Sequence, residues 1–427
     1  MNNEKIIEIL SEWNFWGKDH DVGVFRDKYL AKLNKLMNTG QVVAVTGVRR
    51  SGKSTLMKQF IKQQMIKGKA KKNFLYINLE ETLFADHLSL NFLQQIYDAY
   101  FEILKPDSVP YILLDEVQNI PKWEKFVRSL HEKKQAKIIV SGSTSKLLGR
   151  EFGTVLTGRW VELKLYPVGF FEFLEFKKLK TGNRFGILSK KIKIKQFLRE
   201  YLEFGGFPLV VLKEEKKEIL QRYFDDIMER DIAEKHKIRR VDRLKSLARY
   251  YLTNFSSTIS YRRITKFMDL SLDSVERFSS YMAEAYLTFF VPKFSYSLKE
   301  QEINPRKIYC IDSGLINMVG FKFSENIGRL YENLVFLTLL REGKEIYYYK
   351  NKGECDFVLK EGQKIKQAIQ VSYQIKENKE REIKGLLEAM NTFKLKEGFI
   401  ITEDKEGEEK IKGKKVKYIP LWKWLLQ

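Results

Sequence analysis

The nine residues from Gly47 to Thr55, which read GVRRSGKST, constrain this chain more than any other stretch of its sequence. They match the pattern G-x-x-x-x-G-K-[ST] without a mismatch. The apolar run QVVAVT at residues 41–46 predicts a buried strand before them, and apolar residues at helical spacing predict a helix after them. A strand, a glycine-containing loop and a helix, in this order, are what a phosphate-binding loop requires.

The glycines of this stretch explain how its backbone can hold a phosphate. Gly47 and Gly52 can adopt conformations closed to residues with a Cβ atom, so successive N–H groups can point inward at the positive end of the following helix. We expect Lys53 to place its charge against the β- and γ-phosphates and Ser54 to offer its hydroxyl to Mg²⁺. The full set of expected nucleotide contacts is Gly47, Arg50, Ser51, Gly52, Lys53, Ser54 and Thr55.

A second motif follows downstream, where the apolar run of residues 111–114 leads directly into Asp115 and Glu116. Acids often end strands, so this motif gains its meaning from the complete phosphate-binding loop that precedes it. In that order it predicts that a buried strand delivers Asp115 to the Mg²⁺ shell. Glu116 is then expected to orient and deprotonate the attacking water.

Two further positions are candidates for the same site. The strand predicted at residues 137–140 ends in SGSTS, where Ser143, with Ser141 and Thr144 as alternatives, is expected to contact the γ-phosphate and the water. A hydroxyl-rich turn before a helix is the other interpretation. Arg159, within LTGRW, is the candidate for stabilising charge on the transferred phosphoryl group, from its own chain or from an adjacent one. A plain surface arginine is the alternative there.

Length and element order bound the fold class. At 427 residues the chain is too long for one hydrophobic core, and ~150 residues per domain give about three domains. Strands alternate with helices through the first part of the chain, which predicts an α/β fold: a parallel sheet with helices on both faces. Ligands of such sheets bind at the carboxyl ends of the strands.

Cysteine usage and hydropathy exclude several classes. Cys310 and Cys355 form no C-x-x-C pair, which argues against a zinc site and against a disulfide framework. No apolar run approaches 18 residues, and the N-terminus lacks the layout of a signal peptide. We therefore expect a cytoplasmic protein without a membrane partner.

The charge of the chain is strongly positive. Its 77 Lys and Arg residues against 55 Asp and Glu residues give a formal net charge of +22. Such an excess attracts polyanions, which include DNA, RNA and anionic membrane surfaces. A lysine-rich solvated surface, or adaptation to heat, explains the excess equally well. Charge alone does not separate DNA from RNA.

The middle of the chain predicts a small domain at residues 242–301. A helix comes first, a second helix is expected over 262–268, a third begins near residue 270, and residues 287–294 are apolar and rich in β-formers. This is the order of a winged helix, which favours DNA over RNA as the partner. The residues expected to face DNA are Arg262, Arg263, Lys266, Ser274 and Arg277. The alternative is a domain that only packs against its neighbours.

Several of these motifs together resemble those of archaeal and bacterial AAA+-type ATPases. The matching segments are GVRRSGKST, LLDEVQNIPKW, VSGSTSKLL, LTGRW with LYPVGFFEF, and the C-terminal GECDFVL with IQVSY. The resemblance covers nearly the whole chain and implies a P-loop ATPase that uses ATP and Mg²⁺. The organisation it implies is an ATPase core at 1–165, a helical lid at 166–241, a winged helix at 242–301 and a restriction-endonuclease-like α/β domain at 302–427.

The resemblance also implies where a nuclease site would lie, and the sequence departs from that pattern. The pattern has an Asp on one strand, (Asp/Glu)-x-Lys on the next, and often a Glu on the preceding helix, so that two acids hold Mg²⁺. Glu332 and Asp356 match, but the third part reads Gln370-Val371-Ser372. An amide binds Mg²⁺ more weakly than a carboxylate, and Ser372 cannot replace the lysine. We expect the fold to be kept and the nuclease to be lost.

Three functions follow as hypotheses. The first is an AAA+ protein that couples Mg-ATP hydrolysis to DNA binding or remodelling. The second is a nucleotide-dependent switch that binds protein partners, and the third is an ATP-dependent nuclease. Assembly into a homo-oligomer is compatible with each of them.

Overall fold

In this computed structural model the described residues are 1–143, 156–180, 182, 184–320 and 327–426. The chain separates into two compact units, residues 1–165 and residues 166–427. Thr144, one alternative for the contact to the γ-phosphate, lies outside the described residues.

The first unit contains one parallel sheet and the helices that cover it. Its strands are β1 (Val42–Thr46), β2 (Phe74–Asn78), β3 (Tyr111–Asp115), β4 (Lys137–Gly142) and β5 (Trp160–Lys164). Its α-helices are α1 (Asn3–Ser11), α2 (Asp27–Met37), α3 (Lys53–Ile66), α4 (Leu90–Leu104) and α5 (Trp123–Glu132), and it has short 3₁₀ helices at Lys71–Asn73, Thr82–His87 and Val117–Asn119. The strand order is β2-β3-β4-β1-β5, with every pair parallel.

The central strands are buried on both faces. Every residue of β1 and of β3 is buried, which is why these strands are continuous apolar runs rather than alternating ones. Val43 and Val45 lie in the core that α2 and α3 share. Val42 and Ala44 lie in the core on the opposite face, with α1, α4 and α5. The predicted α/β fold, a parallel sheet between two layers of helices, is confirmed.

Parallel pairing brings the ends of these strands to one edge of the sheet. Thr46 at the end of β1 pairs with Gly142 at the end of β4 and with Lys164 at the end of β5. Asp115 ends β3 on the same side. The phosphate-binding loop leaves β1 at this edge and enters α3 at Lys53. The edge is where a ligand of such a sheet binds.

The second unit begins with a run of helices: α6 (Phe170–Phe176), α7 (Arg184–Ser189), α8 (Lys191–Phe204), α9 (Pro208–Leu212), α10 (Lys216–Asp226) and a π-helix (Ile227–Glu234). The break between α8 and α9 follows from the sequence, since Gly205 has a left-handed φ of 76° and Pro208 can only begin a helix.

A three-stranded sheet with its own helices comes next. The helices are α11 (Val241–Thr253), α12 (Tyr261–Ile264), α13 (Leu272–Glu284) and α14 (Leu298–Ile303), and the strands are β6 (Ser257–Ile259), β7 (Thr288–Val291) and β8 (Arg306–Cys310). The strands are antiparallel in the order β6-β8-β7, and β8 lies beyond residue 301.

The helix predicted over residues 262–268 is too long. The structure ends α12 at Ile264 and continues in turns to residue 268. Ile264 is fully buried, whereas Phe267 is 56% exposed. A single buried side chain gives the segment too little apolar face to hold further helical turns.

The unit ends in a six-stranded mixed sheet. Its strands are β9 (Glu345–Lys350), β10 (Glu354–Glu361), β11 (Lys364–Val371), β12 (Glu397–Thr402), β13 (Gly407–Ile411) and β14 (Lys414–Pro420), in the order β13-β14-β12-β11-β10-β9. The helices here are α15 (Ser313–Val319), α16 (Ile327–Arg341), α17 (Ile375–Thr392) and α18 (Leu421–Trp424). Leu386 and Met390 of α17 pack on Val358, Ala368 and Ile400 of the sheet. In the described part of the chain, no helix is both long enough and apolar enough to cross a membrane.

Candidate functional site

The phosphate-binding loop depends on two glycines. Gly47 has a φ of 146°, and a Cβ atom there would lie 2.0 Å from the carbonyl oxygen of Leu165. That backbone is fixed, because the Leu165 N–H donates to the Thr46 carbonyl at 2.7 Å. Gly52 precedes α3 with a left-handed φ of 96°. The sequence pattern therefore reflects a backbone that other residues could not adopt.

Lys53 opens α3 and is buried. Its Nζ donates to the carbonyl oxygens of Gly47 at 3.2 Å and Val48 at 3.4 Å, so the ammonium folds back over its own loop. The same atom lies 3.7 Å from Oε1 of Glu116. The loop lysine and the second acid of the downstream motif are thus neighbours, as the sequence predicts for one site.

The carboxylate of Asp115 accepts hydrogen bonds from hydroxyl groups on three different elements. Tyr76 on β2 donates to its Oδ2 at 2.5 Å, and Ser141 on β4 donates to its Oδ1. Ser54 at the start of α3 also hydrogen-bonds the carboxylate. Burial raises the pKa of Asp115, as does the neighbouring Glu116, and the three hydroxyls oppose that rise. Their donation favours the ionised form, which is the form that binds a cation.

Glu116 adopts a left-handed conformation, with φ 57° and ψ 53°, which is uncommon for a residue with a side chain. Its N–H donates to the Ser141 hydroxyl at 3.0 Å, and Gln118 Nε2 donates to its Oε2 at 2.5 Å. The Ser141 hydroxyl therefore contacts both acids. Ser143 is buried just beyond the end of β4, and its expected contact with the γ-phosphate remains a prediction.

Arg26 is a contact that the sequence did not single out. It is buried, and its Nη1 donates to the carbonyl of Ser51 at 3.2 Å, inside the phosphate-binding loop. Its guanidinium lies 4.4 Å from the centroid of the Tyr29 ring. An arginine near the start of a predicted helix carries no signal by itself, so only the structure shows that it supports the loop.

Arg159 lies at the opposite edge of the sheet. Trp160, the residue after it, pairs with Val42 at the start of β1, whereas the phosphate-binding loop follows the end of β1. The five residues of β5, at ~3.3 Å each, separate the two edges by roughly 16 Å. Arg159 is half-exposed there and pairs with Glu132 at 3.1 Å. Arg159 therefore lies away from the phosphate-binding loop of its own chain, and its role in catalysis, within its own chain or towards an adjacent one, stays a prediction.

The loop and the neighbouring strand ends fit a nucleotide with Mg²⁺. The Ser51 hydroxyl is buried without a hydrogen-bond partner among the residues that the structure describes, which leaves it available to a ligand. The hydrogen bond between Ser54 and Asp115 joins the two groups expected at the metal. Within the described ranges, no group of three or more His, Cys, Asp or Glu side chains is placed to hold a metal ion by itself.

The four residues of the expected degenerate nuclease site come together in the second unit. Glu332 on α16 and Asp356 on β10 are both buried. Gln370 on β11 accepts from the Asp356 N–H at 3.1 Å and donates to Glu382 on α17. The oxygen that would replace a metal-binding carboxylate is thus already engaged by the backbone. Ser372 is buried beside them, and its N–H donates to a carbonyl of β12.

A lysine from β8 enters the same cluster. Nζ of Lys307 lies 2.8 Å from Oδ1 of Asp356, 2.9 Å from Oε1 of Glu354 and 3.1 Å from Oε1 of Glu332. Burial acts to lower the pKa of Lys307, but the attraction of the acids outweighs it and raises the pKa well above its ordinary value. Burial raises the pKa of Glu332 to about 7. Lys307 follows Arg306 and directly precedes the apolar residues 308–311, and a lysine at the start of such a run carries no signal of a buried cluster.

Most residues of the proposed DNA-facing set are exposed, namely Arg262, Arg263, Lys266 and Arg277. Arg277 pairs with Asp273 one turn earlier in α13, at 3.3 Å. Ser274 lies in the first turn of that helix, where the Ser271 hydroxyl accepts its N–H at 3.2 Å and so caps the helix. Three residues of the set lie on or just after α12, and two lie in α13.

Comparison with known proteins assigns the chain to a family. Residues 39–174 match the model of an AAA domain, and residues 195–325 and 327–424 match two domains of unknown function, DUF8612 and DUF4143. An uncharacterised protein of Methanocaldococcus jannaschii is 35% identical over 406 residues, which are 90% of this chain and 88% of that protein. The chain belongs to the same family as this archaeal protein. An uncharacterised protein of Haemophilus influenzae is 29% identical over 419 residues, covering 95% of this chain and 99% of the relative.

Two solved structures match this family member at low similarity. A Walker-type ATPase of Pyrococcus abyssi is 13% identical, with a TM-score of 0.45, and the match covers 69% of this chain and 95% of the other. Cdc6p of Pyrobaculum aerophilum is 11% identical, with a TM-score of 0.31, over 76% of this chain and 98% of the other. The AAA-domain match and the five-stranded parallel sheet together give the family member a P-loop ATPase fold.

Proposed function

We propose that this chain binds and hydrolyses ATP at the carboxyl edge of its parallel sheet and couples that cycle to DNA binding by its second unit. One observation carries the proposal. Hydroxyl groups from β2, β4 and the start of α3 converge on Asp115, next to Glu116 and Lys53. This is the set of groups that phosphoryl transfer to water needs in one place.

Each group has a defined task in the proposed reaction. Lys53 exchanges its two carbonyl partners for phosphate oxygens and neutralises their charge. Mg²⁺, held through Ser54 and Asp115, would supply further positive charge to the β- and γ-phosphates. Glu116 accepts a proton from the attacking water, and the Ser141 hydroxyl fixes the backbone that carries Glu116. The products are ADP and phosphate.

The nucleotide site is tested with two variants and a matched control. Lys53→Ala removes the phosphate contact, so we expect ATP hydrolysis to fall by at least about a hundredfold. Glu116→Gln removes the base and keeps the shape, so we expect bound ATP to persist while turnover is lost. Lys62→Ala is the control, because Lys62 lies on the same helix and pairs with Asp19 at 2.6 Å. Hydrolysis that is unchanged in both site variants would refute the assignment.

DNA is proposed as the partner on the basis of charge and position. The exposed cations Arg262, Arg263 and Lys266 lie on and just after α12, beside the start of α13. A helix preceded by such a basic turn, with an antiparallel sheet behind it, is suited to enter a DNA groove. The excess of 22 positive charges favours a polyanionic partner, of which DNA is one.

A protein-binding switch is the second candidate, and a groove in the C-terminal part favours it. The groove has a volume of about 890 Å³ and lies between α17, the turn after β9 and the turn after β13. Its lining combines apolar side chains with charged side chains of both signs, among them Ile383, Leu387, Lys352, Lys384, Glu380 and Glu388. Absence of DNA binding at low salt would favour this candidate over the first.

A further inference from the structure

The acid cluster of the second unit is arranged around one point, and Lys307 occupies that point. Three carboxylate oxygens, from α16 and from two positions of β10, lie within 3.1 Å of its Nζ. Lys307 is only 2% exposed. Three acids this close together repel one another strongly unless a cation lies between them.

The carboxylates are held in place independently of the lysine. The N–H of Val371 donates to Oδ2 of Asp356 at 2.9 Å, and the hydroxyl of Tyr309 donates to Oε1 of Glu332 at 2.6 Å. Lys350 pairs with the outer oxygen of Glu354 at 2.9 Å. The oxygens therefore keep their direction towards the central point, which is what a cation site requires.

The distances suit a divalent cation of moderate size. Ca²⁺ takes carboxylate oxygens at about 2.3–2.6 Å, so each oxygen would have to move inward by roughly half an ångström. Mg²⁺ demands about 2.0–2.1 Å and a stricter octahedral geometry, which needs a larger contraction. Ca²⁺ is therefore the better probe of whether the cluster can hold a metal.

We propose that the Lys307 ammonium occupies the position between Glu332, Glu354 and Asp356 that a divalent cation would otherwise take. These three carboxylates can bind such a cation only when the ammonium is removed. The ion pairs of Lys307 also link β8, and with it the three-stranded sheet, to α16 and β10. The six-stranded domain thus acts without a metal at this position. The inference is independent of the proposed ATPase and DNA-binding functions.

Calorimetric titration of the nucleotide-free full chain with Ca²⁺ tests the proposal. Wild type is expected to bind no Ca²⁺ at this cluster. Lys307→Gln, which removes the charge and leaves a shorter polar side chain, is expected to gain one Ca²⁺ per chain. Lys307→Gln combined with Asp356→Asn is expected to lose that site again. Ca²⁺ binding by wild type that Asp356→Asn abolishes would overturn the proposal, as would a folded Lys307→Gln chain that binds none.

Two further measurements keep the test decisive if Lys307→Gln folds poorly. Its melting temperature should fall below that of wild type and rise with Ca²⁺, whereas the melting temperature of wild type should not respond. Lys307→Arg keeps the charge, so a folded Lys307→Arg chain that binds Ca²⁺ at this cluster would contradict the proposal. Lys350→Gln is the matched control: it removes the outer ammonium on Glu354 and should create no Ca²⁺ site.

Discussion

The hydroxyl of Tyr76 on β2 donates a hydrogen bond to Oδ2 of Asp115 on the neighbouring strand β3, at 2.5 Å. Burial raises the pKa of Tyr76 well above its ordinary value, so the phenol keeps its proton and remains a donor. The hydrogen bond lowers the pKa of Asp115 against the effect of burial. Tyr76 thereby favours the ionised form of the buried Asp115, which is the form that binds a cation.

Replacing Tyr76 by Phe should shift the pH dependence of ATP hydrolysis. The pKa of Asp115 rises when the donor is lost, so the acid limb of the rate profile moves to higher pH. Asp115 is then protonated over more of the acid range, so the Mg²⁺ concentration for half-maximal rate should rise at acid pH. Tyr111→Phe is the control, because Tyr111 begins β3 whereas Asp115 ends it. Equal profiles for the two variants would show that Tyr76 has no such role.

The position of Arg159 leads to a prediction about assembly. Arg159 lies at the edge of the sheet opposite to the phosphate-binding loop of its own chain, where a half-exposed arginine is placed to act on a neighbouring chain. We expect Arg159→Ala to lose activity, and mixtures with Lys53→Ala to regain it. When the two variants assemble at random, an intact Lys53 lies next to an intact Arg159 of the adjacent chain at roughly one site in four. The expected rate of the mixture is therefore about a quarter of the wild-type rate. A mixture as inactive as its components would exclude action between chains.

Asp312 joins the start of α15 to the break between α8 and α9. Its Oδ2 accepts the N–H of Gly206 at 2.7 Å, and its Oδ1 accepts the N–H of Gly314 at 2.9 Å. Burial raises the pKa of Asp312 to about 6, although these donors oppose the rise. A proton is therefore bound more tightly in the folded chain than in the unfolded chain, where the pKa is about 3.9.

The stability of the second unit should consequently depend on Asp312 between about pH 4 and 6. The folded state binds more protons in that range, so this residue's contribution to the free energy of unfolding falls as the pH rises. Relative to Asp312→Asn, wild type should lose up to about 1.4 kcal/mol per pH unit. Urea unfolding at several pH values measures the difference. Asp404→Asn, at an exposed aspartate, is the control, and a difference between wild type and Asp312→Asn that is constant with pH would contradict the prediction.

The sequence predicts the first unit well because its chemistry is local. The loop from Gly47 to Thr55 needs glycines at fixed positions, and buried parallel strands are continuous apolar runs, so both are legible without a structure. Asp115 and Glu116 follow such a run, and their order after the loop identifies them. These features rest on contiguous residues and need no knowledge of long-range pairing.

The residues that the sequence missed act through long-range contacts. Tyr76 reads as an ordinary core residue of a strand, and Arg26 as part of a helix start; their partners lie 39 and 25 residues away. Lys307 meets its acids only because β8 packs beside α16 and β10. The hairpin β13–β14 was also missed, because its outer strand is polar and lacks a buried face. The placement of Arg159 required the direction of β5 to be known.

The DNA-binding proposal predicts a specific loss of salt dependence. Replacing Arg262, Arg263 and Lys266 together by Ala should weaken duplex binding and reduce the slope of log affinity against log salt by about 2.7, if each contacts one phosphate. The control is a second triple variant, in which Lys410, Lys412 and Lys415 of the β13–β14 hairpin are replaced by Ala. It removes the same amount of positive charge from a different surface. Equal losses in the two triple variants would indicate that only net charge matters.

The most direct test of coupling is the rate of ATP hydrolysis with and without duplex DNA at low salt. We expect DNA to raise the rate of the wild-type chain, and we expect the ratio of the two rates to return to one in the triple variant of Arg262, Arg263 and Lys266. A wild-type rate that single-stranded, duplex and branched DNA all leave unchanged would contradict coupling to DNA and favour the protein-binding switch.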